Sequence, residues 1–227
     1  MMWFGTKLSN NELLSLNSFL KNGHTVHLYI YDNIINLPKH NNLKIFNGID
    51  IYPTPFTYQT GKGIGSYSAF SNIFRYKLLY EQGGYWCDFD MICIKPFNFK
   101  TEYVFALEKK NMIASCVIKC PPKSDIMKFC YEYSTSINPQ LLNWGDIGPK
   151  LLNLAVNKFK LNQYCLNTLT FCPFPWDNIT FILNNDVILN NNTYGIHLWN
   201  EIWRRQKLNK NMKYKGLYNK LFTKYCL

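Results

Sequence analysis

Residues 70–96 read FSNIFRYKLLYEQGGYWCDFDMICIKP, and they constrain the fold more tightly than any other stretch of the chain. A helix-like segment stops at Gly83-Gly84. A short apolar strand, Tyr85-Trp86-Cys87, follows and delivers Asp88 and Asp90 on either side of Phe89. Alternation along an extended chain sets those two carboxylates on one side. Adjacent acids repel and are costly to hold unless a cation or hydroxyls satisfy them. A hard divalent cation with oxygen ligands, shared with a diphosphate, is the usual resolution. An isolated D-x-D arises by chance on many solvated surfaces, but this one follows a helix, a double glycine and an apolar strand.

The flanking sequence supplies the frame. Met1–Gly5 reads as a strand. Ser9-Asn10-Asn11-Glu12 is a capping box, and Leu13, Leu16 and Leu20 form a helical stripe that ends at Asn22-Gly23. Val26, Leu28 and Ile30 alternate as a second strand. Strand–helix–strand order implies parallel pairing with crossover connections. Residues 50–66, rich in Pro, Gly and Thr, read as a mobile loop. Their Gly61-Lys62-Gly63-Ile64-Gly65 lacks the setting of a P-loop. Residues 66–82 predict a helix with Phe70, Ile73, Phe74 and Leu78 on one face and Ser71, Asn72, Arg75 and Lys77 on its polar side. Strands are expected near 91–94, 103–107 and 194–198, and helices near 123–134 and 149–157, the second with Pro149 in its first turn.

A chain of 227 residues suits one domain with a sizeable core, and 47% hydrophobic content excludes a disordered protein. No stretch approaches the roughly 20 apolar residues of a membrane span. The amino terminus lacks the basic and apolar regions of a secretory signal, so a cytoplasmic location is expected. Eight cysteines without a CxxC pair then read as reduced, buried thiols. Heavy use of Asn, Ile, Lys and Tyr suggests an AT-rich bacterial or viral genome. The net charge of +11 is lopsided, since no acid follows Glu201 while Lys and Arg crowd the end. Tyr214, Leu217, Tyr218, Leu221 and Phe222 lie at helical spacing there. They either close the core or form an amphipathic helix that brings the protein to an anionic inner leaflet or acidic glycan.

The motif block resembles the DXD sugar-binding region of glycosyltransferase family 32 and its capsular-polysaccharide relatives. It is similar also to the glucosylating bacterial toxins. The resemblance rests on Ser71-Asn72-Ile73-Phe74-Arg75-Tyr76, Gly83-Gly84 and Asp88-Phe89-Asp90. It extends to the WFGTKLSNNELLSLNSFLKNGHTVHLYIYD opening and to WGDIGPKLL and IHLWNEIWRR downstream. Asn72 stands where many relatives carry Asp.

That resemblance implies an α/β, single-domain GT-A-type (Rossmann-like) fold with a mostly parallel central sheet. It would span 1–227, with a nucleotide-binding half up to about residue 95 and an acceptor-side half with the basic terminus beyond. It implies a hexosyltransferase-type enzyme using Mn²⁺ or Mg²⁺ and a nucleoside diphosphate sugar, a UDP-sugar, with a glycan or glycoconjugate hydroxyl as acceptor and retention of configuration. Asp90 and His197 would ligate the metal, with Asp88 in its shell or on the ribose or sugar. Trp3 would stack on the base. Ser71, Asn72 and Arg75 would face the donor sugar or diphosphate, with Trp199 and Asn200 beside the site and Asp146 contacting acceptor or sugar. No nucleic-acid partner is expected.

Three other classes fit parts of the chain. A phosphatase with an Asp nucleophile wants a long apolar strand before its first Asp and a late acidic pair, which are not visible. A basic nucleic-acid or membrane binder leaves the acid pair unexplained. A catalytically idle nucleotide-sugar binder fits the same motifs as the enzyme.

Overall fold

The structure is a computed structural model describing residues 1–227. In chain order, the first elements are β1 (Met2–Trp3), α1 (Asn10–Lys21), β2 (Val26–Ile30), β3 (Leu43–Asn47), α2 (Ser68–Gln82), β4 (Gly84–Cys87), β5 (Met91–Cys93) and β6 (Val104–Lys109). There follow β7 (Met112–Cys120), α3 (Asp125–Ser136), α4 (Leu151–Lys158), β8 (Cys165–Leu166), α5 (Thr168–Phe171), α6 (Phe181–Asn184), β9 (Gly195–His197), α7 (Asn200–Arg205) and α8 (Gly216–Cys226). The chain divides into two units interleaved in sequence. The first comprises Met1–Asn47, Asp88–Asn98 and Thr168–Leu227, the second Gly48–Cys87 and Phe99–Asn167.

The first unit holds a parallel sheet, β1-β2-β3, with Met2 opposite Tyr29 and Val26 opposite Leu43. Helix α1 makes the crossover. Its capping box forms as expected, with Ser9 N–H donating to Glu12 Oε2 at 2.9 Å. The stripe that α1 buries is partly polar: Asn11, Glu12, Ser15 and Ser18 are all inaccessible to solvent. Their partners explain this. Ser15 Oγ donates to the Met91 carbonyl at 2.7 Å, Ser18 Oγ accepts from Cys93 N–H at 2.7 Å, and Asn22 Nδ2 donates to the Cys93 carbonyl at 3.0 Å. Side chains of α1 thus satisfy the edge of β5 that its ladder partner β9 leaves open.

Apolar residues of α6, α7 and α8 close this core around Trp203, Tyr218 and Leu221. The apolar face of α8 therefore packs inward, and burying each of its large side chains contributes about 1.5–3 kcal/mol. Of the two expectations for those residues, core closure is what is seen. Most carboxy-terminal cations remain at the surface, Lys220 pairing with Asp186 at 3.0 Å.

The second unit is built on the sheet β4-β7-β6-β8. Its first two pairings are antiparallel and β6/β8 is parallel. Parallel pairing is thus concentrated in the β1-β2-β3 sheet. The longest strand, β7, has no counterpart in the sequence expectations. Helix α2 lays Phe70 and Phe74 inward, with the Phe74 ring 6.1 Å from that of Trp86. The helix stops at Gly83, where φ is +65° and a Cβ would lie 2.5 Å from the Pro122 nitrogen. The 50–66 loop is more tightly tied than its composition suggests. Tyr58 is buried, Gly65 N–H donates to its carbonyl at 2.9 Å, and a Cβ on Gly63 would fall 2.7 Å from both Tyr58 and Trp144. No helix is long and apolar enough to cross a membrane.

Candidate active site

Asp88-Phe89-Asp90 forms a turn rather than the continuation of a strand. Met91 N–H donates back to the Asp88 carbonyl at 3.1 Å, closing a turn ahead of β5. The two carboxylates converge because of this turn, not because of strand alternation. Phe89 is buried and anchors the turn, its ring edge-on to Trp3 at 5.6 Å. Asp90 is only 5% exposed, while Asp88 is half-buried.

His197 reaches the acids through β9. Antiparallel pairing sets Met91 opposite His197, and Leu198 N–H donates to the Asp90 carbonyl at 2.9 Å, extending the ladder by one residue. His197 Nε2 then lies 3.4 Å from Asp90 Oδ1. The chain next takes a left-handed step at Trp199, with φ +56° and ψ +57°. A bulky residue in that region stores strain of order 1–3 kcal/mol. The step seats the indole 4.0 Å from the His197 ring, ties its Nε1 to the Phe174 carbonyl at 2.9 Å, and aims Asn200 N–H at Asp90 Oδ2 at 2.7 Å.

One ligand atom each from Asp88, Asp90 and His197 lies within 4.8 Å of the others. Burial pushes the Asp90 carboxyl pKa up. The charge and hydrogen bond of His197, the Asn200 N–H and the charge of Lys210 outweigh it, holding the group below the ordinary carboxylate range. Two carboxylates and an imidazole in a pre-set triangle make a donor set for a borderline or hard divalent cation. Asn200, whose backbone N–H holds Asp90, also carries a buried Oδ1 with no hydrogen-bond partner. These residues therefore fit the metal that the sequence implies.

Two members of this site were not picked out from the sequence as site residues. Glu12, with no exposed surface, accepts from Asn200 Nδ2 at 3.0 Å and from Lys210 Nζ at 2.8 Å, besides capping α1. Lys210 Nζ also lies 6.0 Å above the Trp3 ring. Asn11, Ser15 and Ser18 recur with Glu12 at helical spacing, a sign that α1 buries polar groups. Lys210 carries no local signal, since its partner lies 198 residues away.

The other expected residues belong to the second unit. Arg75 is 3% exposed and its guanidinium is engaged. Nε donates to the Ser71 carbonyl at 3.1 Å, Nη2 to Ser71 Oγ at 2.9 Å and Nη1 to the Ser115 carbonyl, with the Trp86 ring 4.8 Å away. Asn72, expected on the polar side of α2, is 5% exposed, and its Oδ1 is buried without a partner. Gly148 comes so close that a Cβ there would lie 2.9 Å from Asn72 Nδ2. Asp146 stabilises its own turn, accepting from Asn143 N–H at 2.9 Å and pairing with Lys150 at 2.9 Å.

A family model described as glycosyltransferase sugar-binding region containing DXD motif matches residues 12–114. A second, described as alpha 1,4-glycosyltransferase conserved region, matches residues 123–227. Two glycosyltransferase family models thus match successive stretches of the chain, and they support a glycosyltransferase enzyme with a DXD sugar-binding region in its first half. Among solved structures, one titled PaToxG Glycosyltransferase superposes with a TM-score of 0.51 at 15% identity, covering 70% of this chain and 67% of that one. That likeness is one of fold alone, and with the α/β architecture it supports a GT-A-like fold. A search of the curated proteins finds no match.

Proposed function

We propose that the protein transfers a hexosyl group from a UDP-sugar to a hydroxyl of a glycan or glycoconjugate, with retention of configuration and dependence on a divalent cation. The observation that carries this is the convergence of Asp88, Asp90 and His197 within 4.8 Å, in a chain matched along nearly its whole length by glycosyltransferase families. When bound, the cation supplies Lewis-acid neutralisation of charge developing on the departing diphosphate. The imidazole in the donor set favours Mn²⁺ over Mg²⁺.

The protein's own groups do the rest. Asn200 N–H orients the Asp90 carboxylate, and His197 lies beside it at 3.4 Å. Asp88, half-buried, faces the ribose or sugar, and Trp3 offers an aromatic surface for the base. Asn72, being neutral, is not a general base, and Asp146 is committed to Lys150 and Asn143. The acceptor proton then goes to the leaving phosphate on the same face of the sugar, a course that keeps configuration. The description alpha 1,4-glycosyltransferase supports it, since α-linked products from α-linked nucleotide sugars are products of retention. Exposed Lys207, Lys213, Lys215 and Lys224 would steer a cytoplasmic enzyme toward an anionic leaflet or acidic acceptor.

A panel of nucleotide sugars assayed for hydrolysis with and without Mn²⁺ tests the proposal. Mn²⁺-dependent release of UDP from one member of the panel is expected. Absence of turnover with every sugar, alongside saturable binding, would favour the idle binder.

A further inference from the structure

We propose that Lys210 receives the anionic diphosphate of the donor, and that the buried Glu12 carboxylate is the positioning residue that holds it in place. The proposal rests on the nucleotide-sugar reading above and adds to it a residue pair that the motifs do not contain.

Most cations after Glu201 are exposed and solvated; Lys210 is not among them. Its side chain is one quarter exposed and its ammonium lies 2.8 Å from Oε1 of a carboxylate with no solvent contact. That carboxylate is shared. It also accepts from the Asn200 amide, and Asn200 N–H in turn holds Asp90. A single buried group therefore sets the position of one cation and, through Asn200, of one acid of the DXD turn. An ammonium has three N–H donors, and Glu12 is the hydrogen-bond partner of one. The others belong to a group beside Trp3 whose charge reaches Asp90.

The placement opposes a bare cation and suits a cation that arrives with phosphate. A fixed positive charge near metal-ligand carboxylates repels a divalent ion bound alone. The same charge attracts the two or three negative charges that a diphosphate brings to that ion, through charge-assisted hydrogen bonds. A counter-ion present only to neutralise Glu12 could lie anywhere around that side chain. This one lies on the side of Trp3 and Asp90.

The two roles predict opposite signs, which calorimetry can read. MnCl₂ alone is titrated into wild type and Lys210→Met, followed by inorganic pyrophosphate at saturating MnCl₂. Lys210→Met is expected to weaken pyrophosphate binding about tenfold or more, the size of one lost charge-assisted hydrogen bond. Its affinity for Mn²⁺ alone should be unchanged or higher. Lys210→Arg, which keeps the charge, should recover most of the pyrophosphate affinity. Because Lys210→Met leaves a buried carboxylate unpaired, the Glu12→Gln/Lys210→Met double variant is measured beside it and should show the same loss on a neutral background. Pyrophosphate affinity within about twofold of wild type in both variants overturns the proposal. So does parallel weakening of Mn²⁺ and pyrophosphate, the mark of a merely structural lysine. Failure of the parent reading shows differently: wild type itself would bind neither probe.

Discussion

Asn200 donates its backbone N–H to the Asp90 carboxylate at 2.7 Å, across 110 residues of sequence. The bond exists because β9 pairs with β5 and the chain then steps through a left-handed Trp199. An acid that sequence motifs describe as part of a local triplet is in fact oriented from the far end of the chain. Asp90 and His197 are best understood as one unit, fixed by a ladder and locked by a strained residue.

Glu12 extends that unit into α1. Replacing it by Ala removes the partner of Lys210 and Asn200 in a dry environment. The expected loss of stability is about 3–5 kcal/mol, the range for breaking a buried ion pair. Glu12→Gln keeps two acceptable hydrogen bonds and should lose distinctly less. Denaturant midpoints at constant m-value measure both. A loss under about 1 kcal/mol for Glu12→Ala would show that the interior relaxes around the missing carboxylate.

The double glycine splits into two different demands. Gly83 has φ +65° and no room for a Cβ beside Pro122, whereas Gly84 has φ +81° and open space around it. Gly84→Ala should therefore cost only the left-handed penalty of about 1–2 kcal/mol. Gly83→Ala should cost more, because the backbone of residues 121–122 must also shift. Thermal unfolding of the two variants decides, and equal melting temperatures would contradict the packing account.

Arg75→Lys conserves charge but not shape. Lysine cannot reach the Ser71 carbonyl, Ser71 Oγ and the Ser115 carbonyl together while lying over Trp86. A stability loss of about 1.5–3 kcal/mol is expected from the buried, charged hydrogen bonds forfeited. An unchanged denaturant midpoint would mean that Arg75 does not hold α2 to β7.

Asp146 supplies a pH test. Burial raises its pKa, but Lys150 and Asn143 together outweigh this and lower it below the ordinary 3.8. A depressed folded-state value means stability that is fully present above the unfolded pKa and is lost as pH falls through the folded one. Asp146→Asn should thus be destabilised at neutral pH by about 0.5–1 kcal/mol, a small figure because the pair is partly exposed. The gap to wild type should close below pH 3.8. A gap that persists unchanged under acid would rule out the ion pair as its source.

The local code was legible where a few neighbouring residues decide the outcome. The capping box at Ser9 and Glu12, the glycine stop after Gln82, and the convergence of Asp88 with Asp90 all follow from short-range chemistry. The turn that brings the acids together was misjudged as a strand, because Tyr85-Trp86-Cys87 is apolar enough to suggest continuation. Strand β7 was missed because a strand buried on both faces shows no alternation to read. Asn72 and Arg75 were expected on the polar side of α2, facing the donor, and polarity gave no sign that both would be buried. Arg75 is buried because its acceptor is the Ser115 carbonyl, a contact that no local pattern encodes. The same holds for Lys210, which looks like one more charge in a basic tail until Glu12 is seen beside it.

The central claim is that Asp88, Asp90 and His197 form a divalent-cation site, and Mn²⁺ binding followed by electron paramagnetic resonance tests it without requiring the acceptor. Wild type should take up Mn²⁺ saturably. Asp90→Asn and His197→Ala should each weaken that uptake by about tenfold or more, as expected for losing a ligand or its orienting partner, while circular dichroism shows the fold retained. Mn²⁺ affinity equal to wild type in Asp90→Asn would contradict the account.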